Sequence, residues 1–228
     1  MEVLIDSKLF VYKSLETLFF ERGHKLYLVG GTVRDFLLKK PLEDMDLVTD
    51  ATPSEMKEFL LDADYTFERF GSVKLKYQNV KFDITTLRKE NGYSDHRHPN
   101  KISFTDKLSE DVNRRDLTIN GLYMDKDLKV IDLVNGLFDL NKHLLRMIGD
   151  PDLRLKEDPL RILRIYRFSI ETGFKIDDDL KKAIINNKDL ILKLNKDKVL
   201  QEINKSHDRG LLIETLKKDG IFVDTNTK

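Results

Sequence analysis

Apolar residues recur at helical spacing over residues 9–22, where Leu9, Phe10, Leu15, Leu18 and Phe19 mark one face and Gly23 stands where helices commonly stop. Residues 25–29 form a short apolar, β-prone run, broken by Gly30-Gly31, after which residues 33–39 resume a helical pattern as far as Pro41. A second strand is expected over 44–48. Thr52-Pro53-Ser54-Glu55 opens a helix running to about Leu61, with proline in its first turn. Residues 73–77 and 80–86 alternate as strands joined at a Gln78-Asn79 turn. The first part of the chain is therefore β-α-β-α followed by a hairpin. Residues 91–106 contain Gly, Pro, Asn and Ser without a period and predict a long flexible loop.

From Leu140 onward strand signals fade and charged helical patterns take over, interrupted at Gly149-Asp150-Pro151, Gly173 and Asp177-Asp178-Asp179. The pattern predicts an α+β fold: a mixed-sheet head over 1–124 and an all-helical neck over 125–228. Phe174, Ile176, Leu180, Ile184 and Ile185 supply apolar residues for the neck's own core, and the tail from Asp224 is polar.

Composition narrows the chemistry. At 228 residues the chain has room for one large domain or two small ones. Forty basic residues balance forty acidic ones, so any nucleic-acid partner must be held by locally clustered charge. The absence of cysteine removes disulfides, thiolate metal sites and a cysteine nucleophile together, and fits a reducing compartment. No window has the length and apolarity that span a bilayer, and the expectation is a cytoplasmic protein.

Asp44 and Asp46 stand two apart on an expected strand, where side chains of period two share one face while Met45 and Leu47 turn to the core. Two carboxylates that close repel unless a proton or an oxygen-loving divalent cation lies between them. Such a pair is more often a solvated strand end. Gly30-Gly31 at a strand-to-helix turn changes the weighting, because glycine lets a backbone approach a phosphate where a helix start offers free N–H donors. Arg34, in the first turn of that helix, brings a fork of donors suited to a triphosphate.

Four blocks in order carry a resemblance: Leu28-Val29-Gly30-Gly31-Thr32-Val33-Arg34-Asp35, then Asp44-Met45-Asp46, then Arg114-Arg115-Asp116-Leu117-Thr118-Ile119-Asn120, then Glu157-Asp158-Pro159-Leu160-Arg161-Ile162-Leu163-Arg164. In order and spacing they resemble the bacterial-type (class II) tRNA nucleotidyltransferase and poly(A) polymerase family, within the polymerase β-like nucleotidyltransferase superfamily. The resemblance implies a nucleotidyltransferase head, with Asp44 and Asp46 holding two Mg²⁺ ions and Gly30, Gly31 and Arg34 at the triphosphate. Arg115 is implied as a further nucleotide contact. Arg114 and Asp116 have a plainer alternative, a structural ion pair. For Asp83 two readings stand side by side, a third acidic residue acting as general base and a solvated acid at a strand edge.

Residues 158–167 are expected to form one helix opened by Pro159, with Arg161, Arg164 and Arg167 within a stripe about 120° wide at about 100° per residue. Ile162, Leu163, Ile165, Tyr166 and Ile170 take the other side. Asp158 and Arg161, three apart, are expected as neighbours on the helix surface, where a capping pair is the plain alternative. The resemblance makes them an amino-acid template facing the Watson–Crick edge of the incoming base, with Arg164 and Arg167 as further nucleotide contacts; a solvated charged face is the alternative for these arginines.

The implied reaction is attack of an RNA 3′-hydroxyl on the α-phosphate of CTP or ATP with release of pyrophosphate, building CCA on the 3′ end of tRNA. Poly(A) polymerase, a CC-adding enzyme and a catalytically quiet RNA- or nucleotide-binding module are the competing readings. The loop with Tyr93-Ser94-Asp95-His96-Arg97-His98-Pro99 resembles the flexible segment of relatives that complete CCA, and His96 and His98 are expected as solvated loop residues. Lys181, Lys182, Lys188, Lys193, Lys196 and Lys198 could add phosphate contacts or form a solvated face. Relatives of this kind are expected to carry further helices that grip the tRNA elbow.

Overall fold

The computed structural model describes residues 7–93 and 99–223. The chain divides into two compact units. The first comprises residues through Glu90 with Ile102–Arg115 and Ile119–Leu137, and the second comprises Asn91–Lys101, Asp116–Thr118 and the chain from Phe138 on.

The first unit is built on six strands: β1 (Leu26–Val29), β2 (Met45–Thr49), β3 (Ser72–Tyr77), β4 (Val80–Thr86), β7 (Leu122–Met124) and β8 (Val130–Asp132), in the order β3-β4-β2-β1-β7-β8. All neighbours are antiparallel except β2 and β4, which run parallel with Asp46 opposite Asp83. The sheet is therefore mixed, as its sequence pattern predicts. Gln78 and Asn79 both have positive φ, 46° and 65°, the backbone of the tight turns that match strand twist. Helices α1 (Ser7–Phe20), α2 (Gly31–Leu37), α3 (Pro53–Met56) and α4 (Leu108–Asp111) complete the unit. Leu9, Tyr12, Leu15 and Phe19 of α1 are wholly buried in one cluster with Leu28, Met45, Leu47 and Ile84 of the sheet. Thr52 and Glu55 form a reciprocal capping box at α3, which ends at Met56 rather than near Leu61.

Two differences from the sequence expectation follow from hydrogen bonding. Residues 88–93 and 99–104 are paired: β5 (Arg88–Tyr93) and β6 (Pro99–Phe104) form a two-stranded sheet where much of a loop is expected. Its base is anchored, since Arg88 N donates to Asp111 Oδ1 at 3.2 Å and the Arg88 guanidinium bonds Glu90 at 2.6 and 2.9 Å. His96 and His98 lie outside the described residues. The sheet also continues past Asp125, whose carboxylate accepts from Asp127 N and Lys129 N at 2.9 Å each and so makes the β7–β8 turn, within the expected neck.

The helical region comprises α5 (Gly136–Asn141), α6 (Pro151–Glu157), α7 (Leu160–Thr172), α8 (Asp178–Asn187), α9 (Lys196–Asn204) and α10 (Arg209–Lys218), with one short parallel ladder between β9 (Leu144–Leu145) and β10 (Lys175–Ile176). Gly173 closes α7 at φ 73°, a left-handed cap that glycine adopts without a Cβ clash. Among the described residues no helix is long and apolar enough to cross a membrane.

Candidate active site

Asp46 occupies the second position of β2, half-buried, and Asp44 lies exposed just before the strand. Thr32 of α2 ties the two together: its Oγ1 donates to Asp44 O at 3.2 Å and accepts from Asp46 N at 2.8 Å. Asp83, opposite Asp46 on the parallel strand β4, puts a third carboxylate on the same face. Asp83 pairs in turn with Lys74 of β3 at 3.8 Å. Burial first, then the charges of Asp83 and Asp44, push the Asp46 carboxyl up to about 6 against the opposing fields of Arg115 and Arg34.

Gly31 lies against these acids, since a Cβ there would come into ordinary contact with Asp46 Oδ2 at 3.7 Å and Arg34 Nη2 at 3.6 Å. Gly30, at φ 64° and ψ −126°, is in a conformation that a side chain would strain. Arg34 is nearly buried and engaged: Nε and Nη2 donate to the two oxygens of Asp35 at 2.9 and 3.0 Å, and Nη1 donates to Asn120 Oδ1 at 2.8 Å. Its fork is thus turned on protein partners, leaving fixed positive charge beside the glycine turn. Arg115 bonds Asp111 Oδ2 through Nε and Nη2 at 3.1 and 2.9 Å and lies over the Tyr123 ring, 5.2 Å from its centroid. Burial alone would raise Asp111, but Arg115 and Arg114 outweigh it and hold the carboxyl at about 2.

The acidic face fits a hard divalent cation. Burial first and then like charges drive Asp46 upward, and oxygen donors are the right ligands for Mg²⁺. Among the described residues no three acidic or histidine side chains close into a metal cage. The donor set is an open one, of the kind that substrate phosphates complete.

In the helical unit α6 ends at Asp158, and α7 begins at Leu160. Asp158 stands between the two helices, its Oδ1 accepting from Leu160 N at 3.1 Å, and its carbonyl accepts from Arg161 N at 3.1 Å. Arg161 is buried and donates through Nη1 to Arg154 O at 2.7 Å and Glu157 Oε2 at 3.1 Å. Arg164 chelates Asp116 Oδ2 at 2.8 and 2.6 Å, and that carboxylate raises its pKa further. Arg167 bonds Glu171 at 3.1 and 3.0 Å and Glu202 Oε1 at 3.0 Å. Burial opposes the charge on Glu202, and Arg164, Arg167 and Lys205 overcome it and lower its pKa. The stripe of arginines is therefore not a solvated face. Nor do Arg114 and Asp116 pair as the plainer alternative has it: Arg114 Nε meets Asp111 at 2.7 Å, and Asp116 serves Arg164. Among the lysines, Lys181 is engaged with Asp219 and Tyr166, and Lys182 with Asp179 at 3.1 Å.

Sequence reasoning does not find Thr32, Asp111 or Glu202. Asp111 had a local signal, its position four residues before Arg115 in a helical stretch. Glu202, thirty-five residues from Arg167, had none.

Fold and acidic face together define a mixed-sheet nucleotidyltransferase head joined to a helical region. The chain belongs to the poly A polymerase head domain family, whose model matches residues 26–146. It is 38% identical over 205 residues to the CCA-adding enzyme of Lactobacillus helveticus and 39% identical over 205 residues to that of Lactobacillus johnsonii, covering 90% of this chain and 51% of each relative. The chain thus spans about half the length of the curated relatives it matches. Among solved structures it is similar to the Bacillus stearothermophilus CCA-adding enzyme in complex with CTP, with a TM-score of 0.85 at 26% identity over 95% of this chain and 53% of that one. It is also similar to a tRNA nucleotidyltransferase complexed with a primer tRNA and an incoming ATP analog, with a TM-score of 0.75 at 29% identity over 91% of this chain and 60% of that one.

Proposed function

We propose that the chain carries out template-independent addition of CCA to the 3′ end of tRNA in the cytoplasm, from CTP and ATP with release of pyrophosphate. The observation that carries this reading is the in-register pair of Asp46 and Asp83 on parallel strands, with Asp44 beside them and the Gly30-Gly31 turn adjoining. Relatives named as CCA-adding enzymes support it.

Asp44 and Asp46 would hold the metal ions, with Asp83 as the third acid and as acceptor for the proton of the attacking 3′-hydroxyl. Mg²⁺ held by Asp44 and Asp46 would supply the positive charge that lowers the pKa of that hydroxyl and offsets charge on the departing pyrophosphate. Gly30 and Gly31 admit the triphosphate to the backbone, while Arg34 and Arg115 present positive charge already fixed by Asp35 and Asp111. Asp158 and Arg161 would read the base edge, with Arg164 and Arg167 as further nucleotide contacts. Their partners Glu157, Asp116, Glu171 and Glu202 hold those guanidinium groups in place before a nucleotide arrives.

The test incubates the chain, and its Asp44→Ala/Asp46→Ala variant, with Mg²⁺, CTP, ATP and a tRNA lacking its last three nucleotides. Three additions stopping at CCA, absent in the variant, are expected. An unlimited adenosine ladder makes it a poly(A) polymerase, two additions a CC-adding enzyme, and no extension a binding module.

A further inference from the structure

The acidic face of the sheet has two unlike sides. Toward β1 lie the glycine turn, Arg34 and Arg115, which the proposed function assigns to the triphosphate. Toward the other edge, past β4, a cavity of about 500 Å³ opens beside Asp44 and Asp83 and extends over Lys74, Lys76 and Lys81 of the β3–β4 hairpin. Asp44 and Asp83 on its rim have roles assigned above, and its lysines have none.

The three lysines are exposed and lie on the face that bears Asp83, because Lys74 and Lys76 are two apart on β3 while Lys81 and Asp83 are two apart on β4. Lys74 stands opposite Asp83, but Lys76 stands directly opposite Lys81. A like-charged pair directly across an antiparallel ladder destabilises the hairpin. Among the described residues neither of these two ammonium groups has a carboxylate partner, whereas Lys74 is matched by Asp83 and Lys57 by Glu68. Asp62 and Asp64 also line the cavity, and Asp64 is occupied with Thr66, whose N and Oγ1 donate to it at 2.8 and 2.6 Å. The cavity is therefore mixed in charge, lined by Asp44, Asp62, Asp64 and Asp83 as well as the three lysines, and Lys76 and Lys81 make no ion pair there among the described residues.

We propose that this cavity seats the 3′-terminal nucleotides of the RNA primer, with Lys76 and Lys81 sharing a backbone phosphate while the terminal hydroxyl points toward Asp83. A phosphodiester between the two lysines removes their mutual repulsion, and the strand then enters from the side of the acids opposite to the triphosphate, as in-line attack on the α-phosphate requires. Backbone recognition of this kind is independent of sequence, which suits an enzyme acting on many tRNAs. This inference rests on the nucleotidyltransferase reading for the direction of the hydroxyl, and on the lysine pair alone for the phosphate.

The experiment compares the chain with its Lys76→Gln/Lys81→Gln variant, using a fluorescein-labelled single-stranded RNA ending in a free 3′-hydroxyl for anisotropy titrations over a range of salt, and CTP with Mg²⁺ in a separate calorimetric titration. Removing two like charges that face each other leaves the melting temperature equal or higher, so a folding defect does not confuse the result. RNA affinity is expected to fall about tenfold, and its log–log salt dependence to become shallower by about 0.7, the value for one phosphate contact on a single strand. CTP affinity stays the same, and in extension assays the KM for RNA rises while kcat holds. RNA affinity and salt slope equal to those of the unsubstituted chain overturn the proposal, and so does a loss confined to CTP, which would make the pair part of the triphosphate site. Lysine-dependent RNA binding by a chain that neither binds CTP nor extends RNA sinks the nucleotidyltransferase reading and leaves the phosphate seat standing.

Discussion

Asp44, Asp46 and Asp83 gather negative charge against which Arg34, Arg115 and Lys74 stand, and both arginines already have carboxylates of their own in Asp35 and Asp111. In the helical unit the reverse holds: Arg161, Arg164 and Arg167 each meet at least one carboxylate, and Arg167 meets two. The strand unit leaves its charge unfinished, as a site does that waits for a cation and a substrate. The helical unit completes its charge internally, which fixes the direction of each guanidinium at the expense of freedom to move. One region is organised to receive and the other to hold a shape.

Substitution separates the two. Asp46→Asn should lower nucleotidyl transfer by about a thousandfold, the equivalent of several kcal/mol of charge stabilisation in the transition state. Without metal its melting temperature should not fall, because the change removes repulsion; a clear drop in calorimetry would mean that Asp46 is a structural residue. Glu202→Ala should do the opposite to stability and cost about 2 kcal/mol in urea unfolding, since it removes one of the two carboxylates that balance the nearly buried Arg167 and leaves Glu171 alone. Glu202→Gln should cost less, and equal losses in the two variants would point to packing rather than charge.

Asp111 supplies a pH test. Its carboxyl is held at about 2 in the folded chain against 3.8 for a free aspartate, so its contribution of about 2 kcal/mol is present above pH 3.8 and disappears as pH falls through 2. Acid unfolding of Asp111→Asn should lack that part of the slope, and an unchanged acid limb would place the titration elsewhere. The smallest change expected in stability is that of Gly31→Ala, within about 0.5 kcal/mol, because the added Cβ meets only ordinary contacts. Its extension activity should nevertheless fall, with a raised KM for CTP; full activity would show that nothing approaches the backbone there.

Local signals carried much of this architecture. The Gln78-Asn79 turn was legible because both residues tolerate positive φ between alternating strands, and the Gly30-Gly31 turn because the break between apolar runs is abrupt. The pairing of β5 with β6 was not, since Arg-Lys-Glu-Asn-Gly-Tyr has a polar, glycine-containing composition and is held by bonds from Arg88 to Asp111 and Glu90. Helical spacing placed the three arginines on one stripe but could not supply their partners. Asp116 is forty-eight residues from Arg164 and Glu202 thirty-five from Arg167, and no periodicity reaches that far. The acidic pair Asp44 and Asp46 was legible as a pair, whereas the register that sets Asp83 opposite Asp46 belongs to the sheet.

That parallel register also bears on how the chain matures. The β3–β4 hairpin closes through a two-residue turn and is a fast, local event, but joining β2 to β4 requires closure of a loop running from Asp46 to Asp83. Contacts of such sequence separation form late in a folding reaction. On the ribosome, Asp46 emerges well before its partner, so a nascent chain has no completed acidic face with which to capture a divalent ion or a nucleotide. Binding competence would then appear abruptly, at the step that docks the hairpin, and a stopped-flow trace of metal-dependent nucleotide capture would report the moment the central sheet is finished.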